Sequence, residues 1–142
     1  MKRTAAFLVA TTLSALATPA LAGPADDARK HFQAVAAGDL AALGASYAPN
    51  AHLEWVGGPL DGSYAGGAIQ GVWEKFTKAQ GSLTLSVDRV EESANPKGAT
   101  VTAHVLFTGK QPIKVRYVLT YREGKPTKAL PGKLIRGAQA AP

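Results

Sequence analysis

The chain has 142 residues, about one domain's length, with no cysteine and a formal charge of +6. The missing thiols exclude disulfides, cysteine-held zinc and iron–sulfur clusters, so packing alone must hold the fold. The charge is uneven: residues 23–109 carry six Lys/Arg against nine Asp/Glu, and residues 110–142 carry eight against Glu123 alone. A basic end of this kind either lies beside the acidic start or meets an anionic partner.

Residues 1–22 read as a secretory signal peptide. Lys2 and Arg3 give a positive start, "AAFLVATTLSALA" an apolar run, and Ala20–Ala22 a small-x-small cleavage pattern. The run is short of the roughly 20 apolar residues that span a bilayer. Cleavage after Ala22 leaves residues 23–142 as one domain with no membrane span, delivered to the periplasm or secreted.

"ADDARKHFQAVAAGD" places Ala28, His31, Phe32, Val35 and Ala36 on one helical face, with Asp26 and Asp27 in the first turn and Gly38 as the stop. Asp39 reads as the N-cap of a second short helix with Leu40, Leu43 and Tyr47 inside, ended by Pro49. "AHLEWV" alternates as a strand, with Leu53 and Trp55 on one face. A glycine-rich connector, residues 57–67, leads to "GAIQGVWEKFTKAQ", where Ile69, Val72, Trp73 and Phe76 form a helical stripe.

From Ser82 the period changes to two. Three strands of about ten residues each follow. Their inner faces are Leu83, Leu85 and Val87, then Val101, Ala103, Val105 and Phe107, then Ile113, Val115, Tyr117, Leu119 and Tyr121. Turns fall at Asn95–Gly98, Gly109–Pro112 and Glu123–Pro126. The tail can add one broken strand with a frayed end. Helices followed by a long antiparallel sheet make an α+β domain with the helices on one sheet face.

The phrases "AVAAGDLAALGASYAPNAHLEW" and "GSYAGGAIQGVWEKF", followed by three long strands, resemble the nuclear transport factor 2-like superfamily, and within it the SnoaL-like bacterial branch. The likeness runs from about Ala25 to Ile135. It implies a conical fold, with three N-terminal helices packed on a curved antiparallel sheet around a pocket. Ketosteroid isomerases, dehydratases, epoxide hydrolases, polyketide cyclases and non-catalytic binding domains share that fold, so fold does not decide function.

The resemblance also allows a test of chemistry. The glutamate that precedes the isomerases' catalytic base falls on Glu54, and the base itself on Trp55, whose indole accepts no proton at neutral pH. Their tyrosine donor falls on His31 and their late-strand acid near Tyr117. The Asp–Arg–Asp set of the epoxide hydrolases has no counterpart on the inner face.

The residues themselves exclude other classes. No G-x-S-x-G supports a serine hydrolase, and no phosphate-loop pattern occupies residues 57–67. The three histidines lack metal-ligand spacing, and no aromatic stripe accompanies the basic end, so neither a metal, a cofactor nor a nucleic-acid partner is expected.

Two readings remain. The first is a homodimeric domain binding a small apolar or aromatic ligand in a pocket of His31, Tyr47, Trp55, Tyr64 and Tyr117, with Trp73 in the core. The second is an isomerase, dehydratase or cyclase with His31 as acid/base in the same pocket. The absence of an inner acid on the late strands favours the first.

Overall fold

The computed structural model describes residues 23–122 with side chains and 133–140 as backbone. The expected leader and the turn after Arg122 lie outside the described residues.

Helix α1, Pro24–Ala37, begins with Pro24 at a position where its missing N–H is not needed. It ends at Gly38, which takes the left-handed conformation at φ 68°. The Gly38 and Asp39 N–H groups close the end on Val35 O and Ala34 O at 3.2 and 2.9 Å, a Schellman turn. Asp39 then caps α2, Leu40–Ser46, accepting from Ala42 N at 3.0 Å. One acid thus ends one turn and starts the next helix, which sets the angle between α1 and α2.

The chain becomes extended two residues before Pro49. Strand β1 is Tyr47–Val56, so Tyr47 opens a strand rather than closing the helix. Pro49 has no N–H for the ladder, and the pairing of β1 shifts register between Tyr47 and His52. The glycine-rich connector contains a short strand, β2 (Gly62–Ala65), which folds back antiparallel on β1. Gly57 and Gly58 turn the hairpin at φ 85° and 73°, and Asp61 Oδ1 accepts from Gly57 N at 2.6 Å. Helix α3, Gly67–Gln80, follows and buries the expected Ile69, Val72, Trp73 and Phe76.

Strands β3 (Thr84–Asn95), β4 (Gly98–Thr108) and β5 (Pro112–Arg122) form an antiparallel meander. The alternation expected for β4 and β5 holds along their whole length. In β3 it breaks at a bulge between Val87 and Arg89. Strict alternation would turn Arg89 into the core and Val90 out. The extra residue, Asp88, restores the pattern, so Val90 faces Ala103 and Arg89 stays outside opposite His104.

The tail forms β6, Lys133–Ala140, which lies inside the sheet rather than at its end. The order is β2-β1-β6-β5-β4-β3. β6 is antiparallel to β5 and parallel to β1, the one parallel pairing in a sheet otherwise antiparallel among the described residues. It joins the early hairpin to the late meander. The three helices cover the inner face, and one apolar core lies between. Among the described residues no helix is long and apolar enough to cross a membrane.

Candidate functional site

The point where α1, the α2–β1 junction, α3 and β5 meet is occupied by His31. It is 3 % exposed and is the one polar or charged residue in the buried set of the described chain. The helical period of α1 turns it inward with Ala28, Phe32 and Val35. Four rings surround it edge-on: Phe32, Tyr47, Trp73 and Tyr117, with centroids at 6.1, 5.7, 5.7 and 5.9 Å. β5 delivers Tyr117 by strand parity, α3 delivers Trp73, and the start of β1 delivers Tyr47.

Polar contacts inside this box are few. His31 Nδ1 lies 3.4 Å from Ser46 Oγ, and the Ser46 hydroxyl donates to Leu43 O at 2.7 Å. Trp73 Nε1 donates to the Tyr47 hydroxyl at 3.1 Å. His31 Nε2 and the Tyr117 hydroxyl are buried with no hydrogen-bond partner. Desolvation lowers the His31 pKa from 6.5 to about 4, so the ring is neutral at pH 7. The same cause raises Tyr117 and Tyr47 above the ordinary phenol value, and the Trp73 hydrogen bond partly opposes it at Tyr47.

A second polar pair lies one helical turn away. Asp27 stands four residues before His31 on α1, and its Oδ2 is buried without a partner. Burial raises its carboxyl above the ordinary range, Lys30 pulls it down and Asp26 pushes it up. Tyr121, two positions beyond Leu119 on the inner face of β5, is raised by burial and then by the charges of Asp27 and Tyr47.

Of the five pocket residues expected from sequence, the fold brings His31, Tyr47 and Tyr117 together. Trp55 is one ring removed, 5.3 Å from Trp73 and 5.4 Å from Phe76, and is 6 % exposed. Tyr64 stands on β2 with its hydroxyl donating to Leu60 O at 2.6 Å, so its polar end serves its own hairpin. Trp73, assigned to the core, is both core and a wall of the His31 box. Ser46 and Asp27 were missed as site residues. Asp27 carried a usable signal, its i, i−4 spacing from an inward histidine. Ser46 carried none, because its reach to His31 depends on the Gly38–Asp39 turn. Among the described residues no group of three or more His, Cys, Asp or Glu is placed to hold a metal ion.

Three helices on one face of a six-stranded sheet, together with the family match below, make this an α+β domain of the nuclear transport factor 2-like class. The chain belongs to the family of the SnoaL-like domain, which matches residues 28–127. Similar solved structures carry the same fold at low identity. An NTF2-like protein of unknown function from Pseudomonas putida KT2440 is 18% identical over 82% of each chain, with a TM-score of 0.67. Nuclear transport factor 2 from Cryptosporidium parvum is 20% identical over 81% of this chain and 88% of its own, at 0.60. LinA is 12% identical over 82% of each chain, at 0.69. No curated protein matches the chain.

Proposed function

We propose that this SnoaL-like domain binds a small apolar or aromatic molecule in its cone, beside His31, Tyr47 and Tyr117. One observation carries the reading. Two polar atoms, His31 Nε2 and the Tyr117 hydroxyl, are buried in one aromatic box and unpartnered. A box meant only for packing would hold apolar side chains there, since each orphaned polar group costs about 1–3 kcal/mol. Apolar walls with a few convergent polar groups are the usual make-up of a small-molecule site.

The chain's two tryptophans, Trp55 and Trp73, both belong to this region and give the test. Their fluorescence, titrated with a panel of one- and two-ring aromatics, is expected to change saturably at one molecule per chain. A panel with no saturable response overturns the proposal.

A second reading, an isomerase, dehydratase or cyclase with His31 as acid/base, draws on the neutral ring and its open Nε2. It is the weaker of the two. A base whose conjugate acid has a pKa of about 4 takes up protons poorly at neutral pH, and effective general bases lie near the operating pH.

Two further expectations complete the proposal. Export to the periplasm or beyond rests on residues 1–22, and N-terminal sequencing of the exported protein should begin at Gly23. Self-association as a homodimer rests on the outer sheet face. There Val56 is 52 % exposed, and half-buried Leu106 and Val118 lie among polar neighbours.

A further inference from the structure

We infer that the molecule bound beside His31 carries a hydroxyl group, as an alcohol or a phenol, whose oxygen accepts from Tyr117 and whose proton goes to His31 Nε2. This rests on the cone-binding reading above and narrows it to a ligand class.

The argument starts at Ser46, which has one hydroxyl proton. That proton is engaged with Leu43 O at 2.7 Å. Toward the imidazole, 3.4 Å away, Ser46 Oγ is therefore an acceptor, so Nδ1 carries the ring proton. A neutral imidazole has only one such proton, and burial keeps this ring neutral. Nε2 is then a bare lone pair, buried with no donor.

Tyr117 presents the complementary need. Its hydroxyl is buried and unpartnered, and its ring stands edge-on to the His31 ring at 5.9 Å, with no bond joining the two polar ends. One group satisfies both if it accepts from the phenol and donates to Nε2. A hydroxyl does this with a single oxygen.

A primary amide or a neutral carboxylic acid needs two polar atoms to do the same, and several other common groups fail on one side. A ketone or an ether accepts from Tyr117 and leaves Nε2 bare. An indole N–H donates to Nε2 and leaves Tyr117 without an acceptor. A carboxylate has no proton and brings a charge into a box whose members, Phe32, Tyr47, Trp73 and Tyr117, supply no cation. The rest of the ligand is apolar because these same rings surround it.

Phenol and its methyl ether, anisole, isolate the one proton in question. Protein carrying ¹⁵N-labelled histidine, with His31 assigned by comparison with His31→Gln, is read first without ligand and then titrated with each probe. The free protein is expected to show Nδ1 protonated and Nε2 bare. Phenol should shift Nε2 saturably and bind about fivefold or more tightly than anisole, the value of one ordinary hydrogen bond. Tyr117→Phe removes the donor that both oxygens accept, so it should weaken both probes alike and leave the preference, which rests on Nε2, in place. A proton on Nε2 in the free protein overturns the inference before any ligand is added. Equal affinities, the result if a water serves the pair, overturn the hydroxyl while leaving cone binding intact. Binding of neither probe overturns both.

Discussion

His31 has no carboxylate among the four rings around it, so its protonation has only the cost of burial to contend with. Its pKa falls from 6.5 in the unfolded chain to about 4 in the fold. The unfolded state therefore takes up the proton first as pH drops. The stability contribution is intact above about pH 6.5 and is lost progressively down to about pH 4, to the extent of about 3 kcal/mol. Asp27, with a raised carboxyl, acts in the opposite sense, but only as the carboxylate range is approached. Urea unfolding at pH 7.5 and pH 5 should show a clear loss in the wild type and a smaller one in His31→Gln. Equal losses in the two would contradict a buried neutral histidine. Tyr47→Phe leaves Trp73 Nε1 buried without its acceptor and should cost about 1–3 kcal/mol at either pH, read by the same unfolding curves. At this scale the sequence was readable where periodicity governs: helical spacing turned His31 inward and strand parity did the same for Tyr117. Ser46 and the Trp73–Tyr47 bond were not, because they join elements whose relative placement no local period encodes.

Among elements, β3 shows best how local pattern yields to packing. Its bulge inserts Asp88 between two in-register stretches, so that Val87 faces Val105 and Arg89 faces His104. Removing Asp88 leaves every other pairing available in a regular ladder. The deletion should fold and lower the melting temperature by no more than about 5 °C. Deleting Val90 instead places either Glu91, with the bulge kept, or Arg89, with the bulge lost, opposite the buried Ala103, and should lower the melting temperature further than the loss of Asp88 does. Circular dichroism melts of the two deletions separate these outcomes. The β3–β4 turn has its own constraint. Gly98 sits at φ 148°, and a Cβ there would run into the Tyr121 carbonyl of β5, so Gly98→Ala should cost more than about 2 kcal/mol. The long helices and the meander were legible because each repeats its period several times. β2 was not, since four residues among glycines carry no period. The inner position of β6 was not either, because only pairing with β1 and β5 assigns it.

For the whole molecule, the resemblance seen in the order of helix break, strand, glycine link and helix start led to the right class, and the SnoaL-like match agrees. The specific role was not legible, because the fold serves many chemistries and the site rests on unpaired buried atoms rather than on a motif. If the outer sheet face forms a homodimer, a charge at its apolar positions should break it. Val118→Asp with Leu106→Asp is expected to give a monomer by light scattering, with the circular dichroism spectrum unchanged. The two open polar atoms, His31 Nε2 and the Tyr117 hydroxyl, are a separate matter and carry the central claim. Native mass spectrometry of the protein, isolated from its own cells without organic solvent, tests that claim most directly. Each chain should retain one small non-covalent molecule that is released on gentle activation. A bare chain mass throughout, persisting after incubation with phenol, would contradict it.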